Sequence, residues 1–408
     1  MIAAFHGVRY GMRFARLPSD ADRRGVRTMQ GASLAELLES LGPTYVKLGQ
    51  VLSTRPDVLG PDLVGGLARL QERVRPVPAP QALRALREGL GARFADGFSH
   101  VDPEPLASGS IAQVHRATTR HGQHVVVKIR RPDIVERLEA DVRLMLAVAT
   151  LLERVWLRFP VRPWIEQFAD AVRSQLDFER EARSYRLLRS NLAAMPDLRL
   201  PAVLPELTAP SVLTLEYLDG LQHVDATDLT REDRIRALRS GLAALYQMIF
   251  IDGVIHADLH PGNVFFRRGG ECVLLDAGVV AHLTPAVRRD FVDFFYGLVA
   301  NRGEDCARII QANAVHCGRD ADGDAFERDL RRIVARFSAL PARDFEVTSF
   351  AMALFDAQHR HQIYSAPDFM MAIVALLGYE GIVKRVEPEM DFQSAARDVL
   401  PRARALVA

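Results

Sequence analysis

The chain has 408 residues, of which 49% are apolar and 25% charged, and its net charge is +1. That length exceeds one simple core, so two lobes are expected, and the near-neutral balance excludes bulk nucleic-acid binding. Three cysteines, Cys272, Cys306 and Cys317, lack metal-site spacing; they suit a reducing compartment and exclude a disulfide framework.

Residues 1–16 scatter arginines among Ile2, Phe5, Tyr10 and Phe14, without a continuous apolar stretch or a small-residue cleavage site. No signal peptide is expected. The best apolar runs, Met145–Leu152 and Phe369–Leu377, are too short to cross a bilayer, which takes about 20 residues. A cytoplasmic chain is expected, with any membrane contact peripheral and on the inner face. Two amphipathic stretches could make it. One is the N-terminal segment, Ile2, Phe5, Val8 and Phe14 with Arg9, Arg13 and Arg16. The other is 61–75, Leu63, Val64, Leu67 and Leu70 with Arg69, Arg73 and Arg75, for which packing onto the lobes is the competing reading.

Among 52 basic residues only Lys47, Lys128 and Lys384 are lysines. A lysine kept in so arginine-rich a chain marks a place where a compact ammonium suits and a guanidinium does not. Chance survival is the reading for Lys384.

In chain order, Leu34, Leu37, Leu38 and Leu41 recur at helix spacing, and Ser33 with Glu36 forms a capping box. Gly42-Pro43 punctuates, and Lys47-Leu48-Gly49-Gln50 follows. A helix over 61–73 ends at Pro76, Pro78 and Pro80, giving an all-helical extension with a proline-rich linker over 1–80. Gln81 to about Ala95 reads as helix. The period then changes to 2: Val101–Ser110, Ile111–Ala117 and His124–Ile129 read as a hairpin or meander, turning at His121-Gly122. A small-residue loop, Ala107-Ser108-Gly109-Ser110, precedes the second strand. Lys128 lies inside an apolar strand, where a bare ammonium costs several kcal/mol, so it needs a carboxylate or a phosphate.

Two long helices are expected over 133–157 and 163–192, the second carrying Gln175, Asp177, Glu179 and Glu181. Glu181 is the natural partner for Lys128. Leu198–Pro205 and Ser211–Tyr217 read as strands. Glu216, Tyr217 and Leu218 before Asp219-Gly220 suit a hinge whose backbone groups could meet an adenine. A helix over 231–252 leads into the most informative stretch, His256-Ala257-Asp258-Leu259-His260-Pro261-Gly262-Asn263, followed by the strand Cys272–Leu275 and Asp276-Ala277-Gly278. H-x-D-x-x-x-x-N, then an apolar strand, then D-x-G is how a phosphoryl-transfer site is built. Asp258 would accept or orient a hydroxyl, while Asn263 and Asp276 offer the hard oxygens Mg²⁺ requires. Beyond Gly278 helices are expected over 285–301, 303–315, 323–339, 349–358, 367–384 and 391–406. The order of parts predicts an α+β, two-lobed protein-kinase-like fold with the nucleotide between its lobes. A sheet-bearing N-lobe would span 81–217 and a helical C-lobe 218–408.

These residues resemble the ABC1/UbiB family of atypical kinases, also called the ADCK or coenzyme Q8 family, from about Ser33 to Val280. Lys47-Leu48-Gly49-Gln50 resembles its KxGQ motif, and Pro105–Ala117 its alanine-rich loop. Val127-Lys128-Ile129 with Arg131-Pro132 resembles its nucleotide lysine, and Asp177–Ala182 its acidic helix. The resemblance implies nucleotide (ATP or ADP) and Mg²⁺ as cofactors, held through Ala107, Ser108, Gly109, Ser110, Lys128, Asn263 and Asp276. It assigns a regulatory block to Lys47, Gly49, Gln50 and Asp177, set against the nucleotide cleft with Gln113 as a neighbour. It further implies ATPase activity in isoprenoid-quinone biosynthesis, with quinone-lipid intermediates and the enzymes handling them as partners. Protein-kinase activity is not implied, because in the family the KxGQ helices cover the place of a protein substrate. The chain departs from the family at Gln175 (Glu expected), at Gly109 (the loop's last alanine) and at Ala277 (Phe in D-F-G). The catalytic loop also resembles that of aminoglycoside and choline kinases, so a small-molecule phosphotransferase is one alternative. A non-catalytic nucleotide-dependent binding module is another.

Overall fold

A computed structural model describes residues 23–53, 66–67, 75–155, 162–318, 321–340, 344–392 and 394–407. The N-terminal amphipathic stretch and almost all of 61–75 lie outside them. The chain divides into two compact units, one of residues 1–183 and 202–217 and the other of 184–201 and 218–408.

The first unit opens with helices Arg23–Leu41 and Pro43–Ser53. Ser33 thus sits inside the first helix, which begins ten residues before the expected cap. Pro78 precedes the helix Ala79–Leu90, whose buried Ala82, Leu86 and Leu90 share one face. This helix stops earlier than its pattern suggests, because Gly91 adopts φ 58° and reverses the chain. After the short helix Arg93–Gly97 come strands β1 (Phe98–Ser108), β2 (Ala112–Thr119) and β3 (His124–Arg130). Strand β4 (Leu198–Arg199) belongs to the second unit, and β5 (Val212–Glu216) returns to complete an antiparallel sheet ordered β1-β2-β3-β5.

Along β3 the strand period buries Val125, Val127 and Ile129 against Leu86, Leu90, Phe98 and Leu207. Each such side chain contributes about 1.5–3 kcal/mol by leaving water. The same alternation turns Lys128 to the opposite face of the sheet. A second core forms where Ile134, Leu138, Val142 and Met145 of helix Ile134–Val155 meet Phe168 and Val172 of helix Arg162–Gln175 and Leu176 just after it, with Tyr45 and Leu48 packed on them. The single helix expected over 163–192 is two. Leu176-Asp177 interrupts it, and Asp177 Oδ1 accepts from the amides of Glu179 (3.1 Å) and Arg180 (3.4 Å), capping the next helix, Phe178–Asn191.

In the second unit β6 (Gln222–His223), β8 (Val264–Arg267) and β9 (Glu271–Leu274) join β4 in the order β4-β9-β8-β6, while β7 (Val254–His256) pairs with β10 (Val280–His282). Helix Arg231–Tyr246 is capped by Thr230, whose hydroxyl accepts from the Asp233 amide. Its Gly241 is obligatory: a Cβ there would lie 2.1 Å from the Tyr379 hydroxyl and 2.9 Å from Cys272 Sγ. The chain then widens into a π-helical turn, Gln247–Asp252, and Gly253 at φ 66° ends it immediately before β7.

Helices Pro285–Val299, Gly303–Ala312, Gly323–Ser338, Val347–His361, Pro367–Val386 and Ser394–Val407 follow. Two short strands that the helical pattern hides, β11 (Ala314–Cys317) and β12 (Ile363–Ser365), pair between them. Phe250, Phe291, Phe294, Phe295 and Phe369 form one aromatic cluster in edge and tilted contacts. Cys272 and Cys306 are buried and Cys317 is exposed. Among the described residues no helix is long and apolar enough to cross a membrane.

Candidate nucleotide and metal site

In the first unit Lys128 Nζ donates to both carboxylate oxygens of Glu181 at 2.9 Å. The side chains are 14% and 3% exposed, so this is a buried pair. The ammonium also lies 5.3 Å from the Phe178 ring centroid, a cation–π contact in a partly dry setting. Strand alternation and the cap at Asp177 together make the pair: one aims the lysine, the other starts the helix that presents Glu181 in its first turn.

The loop Ala107–Ser110 is a tight hairpin. Ser108 pairs with Gln113, and the Gly109 amide donates to Ala112 O at 2.9 Å. Arg131 braces it: Nε donates to Gly109 O (2.8 Å) and Nη2 to Ser108 Oγ (2.8 Å). Ser110 is 1% exposed, and its hydroxyl finds no partner among the described residues. The brace by Arg131 was not foreseen from sequence; the Arg131-Pro132 pair beside the retained lysine was the available signal. At the hinge the Glu216 amide is bonded to Ala202 O and the Tyr217 amide to His124 O. These two amides are thus already bonded within the first unit. Arg116 stacks over the Tyr217 ring at 5.1 Å, and Leu218 is buried.

Lys47 and Gln50 are half-buried and Gly49 is buried, on the helix Pro43–Ser53. This helix seats Tyr45 and Leu48 against the core that ends at Leu176, next to Asp177. Asp177 spends Oδ1 on its cap, and Oδ2 lies 3.6 Å from Arg183. The Gln113 side-chain amide is held by Val77 and His115.

In the second unit the stretch Ala257–Asn263 joins β7 to β8. His256 is fully buried; its Nε2 donates to Leu275 O (3.0 Å) and its Nδ1 accepts the Asp258 amide (3.4 Å). That pattern requires the neutral imidazole, and burial first of all pushes its pKa down. The histidine thus ties the Asp258 loop to the strand end that carries Asp276. Asn263 Nδ2 donates to Asp258 O (3.0 Å) and Oδ2 (3.3 Å). With the amide nitrogen engaged, Oδ1 is the atom left to meet a cation. Asp276 adopts φ 55°, a left-handed conformation uncommon outside glycine. The Tyr185 hydroxyl holds it there by accepting the Asp276 amide at 2.7 Å, and Asp276 Oδ1 accepts the Gly278 amide at 3.1 Å. Tyr185 was not singled out from sequence, where it reads as one more helix-face aromatic. Asp258 stays one-third exposed, with His260 Nε2 at 3.7 Å.

No cluster of three or more His, Cys, Asp or Glu poised for a metal occurs among the described residues. Mg²⁺ takes one or two protein oxygens and completes its shell with phosphate and water. The oriented Asn263 oxygen and the Asp276 carboxylate fit that requirement.

The ABC1 atypical kinase-like domain matches residues 69–310 of the chain. A protein named "Probable protein kinase UbiB" from Marinobacter nauticus is 32% identical over 387 residues, covering 91% of this chain and 69% of that one. Its namesake from Pseudomonas paraeruginosa is 31% identical over 397 residues, covering 93% and 73%. Among solved structures, the complex of Rv3197 with erythromycin from Mycobacterium tuberculosis superposes with a TM-score of 0.59 at 22% identity, over 86% of this chain and 90% of that one. This likeness supports the α+β kinase-like fold. With domain match and relatives in agreement, the chain belongs to the ABC1/UbiB family of atypical kinase-like proteins.

Proposed function

We propose that the protein binds Mg²⁺–nucleotide and hydrolyses ATP in support of isoprenoid-quinone biosynthesis. The observation that carries this reading is the bidentate ion pair of Lys128 with Glu181. A buried ammonium fixed by a carboxylate on its strand's non-core face is pre-positioned for nucleotide phosphates without a further cost of orientation. Asn263 and Asp276 would hold the metal, which supplies charge neutralisation of the phosphates when bound. Asp258, oriented by the Asn263 amide, would position the attacking hydroxyl or water and accept its proton. The Lys47-Leu48-Gly49-Gln50 block argues for ATPase chemistry over transfer to a free small alcohol. Quinone-lipid intermediates and the enzymes that handle them are the proposed partners, by family membership.

The test is phosphate release from Mg·ATP by the purified chain, with and without isoprenoid lipid, beside Asp258→Asn. Lipid-stimulated hydrolysis lost in the variant supports the reading. Nucleotide binding with equal, background hydrolysis by both proteins would make the chain a nucleotide-dependent binding module. Quinone profiling of cells lacking the protein then tests the pathway.

A further inference from the structure

The proline-rich linker is fastened to the nucleotide loop at two points, both inside the first unit. Pro76 and Pro78 have no amide hydrogen, so Val77 is the single main-chain donor of that tripeptide. Its N–H donates to Gln113 Oε1 at 2.8 Å, and Gln113 Nε2 returns a bond to Val77 O at 3.3 Å. The second Nε2 hydrogen goes to His115 Nε2 at 2.9 Å, while His115 Nδ1 donates to Asp102 O at 2.8 Å. These roles lock together: only with Nδ1 protonated and Nε2 bare can His115 hold the amide in the orientation that matches Val77. Gln113 and His115 are 2% and 0% exposed, so the chain of bonds is shielded from water. The second fastening is Arg131. The guanidinium that braces Ser108 and Gly109 also donates to Arg75 O through Nη2, at 2.9 Å. One planar fork therefore joins linker and loop.

We propose that Gln113, His115 and Arg131 are positioning residues that clamp the linker Arg75–Val77 to the loop Ser108–Gly109, so that seating of the linker and nucleotide binding at the loop form one equilibrium. The proposal rests on the reading of Ala107–Ser110 as a nucleotide loop. A clamp that holds the loop in its binding shape raises nucleotide affinity. By reciprocity, nucleotide must then tighten the clamp by the same factor.

The experiment uses the full chain and two readouts: Mg·ADP affinity by titration, and hydrogen exchange at Val77. Val77 and Ala79 are the only amides between residues 76 and 80, which isolates the probe. In the wild type, Mg·ADP slows Val77 exchange about tenfold, the size of one or two hydrogen bonds. Arg131→Lys keeps the charge but loses the fork; it weakens Mg·ADP binding by a similar factor and removes the nucleotide-induced slowing. Gln113→Met speeds Val77 exchange without nucleotide, while exchange in β3 stays as in the wild type. Should that variant not fold, Arg131→Lys, which leaves the Gln113–His115 bonds intact, carries the test. A wild type that binds Mg·ADP with Val77 exchange unaltered, or an Arg131→Lys chain with full affinity, overturns the clamp alone. A wild type that binds no Mg·ADP overturns the nucleotide reading and the clamp with it.

Discussion

The two halves of the proposed machinery are finished to different degrees. In the first unit Lys128 and Glu181 satisfy each other: the charges cancel, the hydrogen bonds are made, and water is largely excluded. In the second, Asp258 Oδ2 accepts from the Asn263 amide and the side chain stays one-third exposed, while Asp276 Oδ1 accepts the Gly278 amide. On the proposed reading, the first half fixes a buried ammonium in position, and the second offers oriented oxygens to a cation.

The largest effect should come from Asp276→Asn. Asparagine tolerates the left-handed backbone, so the fold should persist while a charge and a hard oxygen ligand are lost. Mg²⁺-dependent nucleotide affinity should fall about a hundredfold or more, roughly 2.7 kcal/mol, with thermal unfolding nearly unchanged. Unchanged affinity that still requires Mg²⁺ would move the metal elsewhere.

Breaking the first half should instead show in stability. Lys128→Met leaves the buried Glu181 carboxylate without its ammonium, at a cost of about 3–5 kcal/mol in denaturant unfolding. The double variant Lys128→Met, Glu181→Met should recover most of that cost without recovering nucleotide binding. Lys128→Arg should keep much of the stability and lose activity, because the larger fork cannot replace a point charge.

A smaller effect is expected from pH. Burial depresses the His256 pKa in the folded chain, so the unfolded chain binds more protons once pH drops below its ordinary value. The histidine's contribution is present above about pH 6.5 and is lost as pH falls, with a slope of at most about 1.4 kcal/mol per unit. His256→Gln should remove that component from the pH dependence of unfolding between pH 7 and 5. The smallest effect belongs to Lys384, which meets Glu346 at 2.8 Å with both side chains nearly half exposed. Lys384→Ala should change stability by no more than about 0.5 kcal/mol, since exposed ion pairs contribute little.

What could be read in advance follows from how local each signal is. Lys128 announced its need for an anion because three lysines among 52 basic residues make each conspicuous, and Glu181 lay on the next suitable helix. The strand alternation around Val125–Ile129 and the loop from Asp258 to Asn263 were equally local. The break at Leu176-Asp177 was not visible, because charged residues at helix spacing run straight through it and the cap depends on one side-chain rotamer. The role of Arg131 was hidden for the opposite reason: it is one arginine among many, and its three acceptors come from Arg75, Ser108 and Gly109. The pairing of β11 with β12 joins three- and four-residue strands across nearly 50 residues, beyond any window of periodicity.

The placement of the cysteines has a practical corollary. Burial lifts the thiols of Cys272 and Cys306 to about 12, so neither supplies thiolate at neutral pH. Cys317, on β11, is exposed. A maleimide dye or nitroxide should therefore attach at one position in the unmutated chain. The second unit thus comes with its own single-site spectroscopic handle, free of engineered cysteines, for testing the proposed binding of nucleotide in solution.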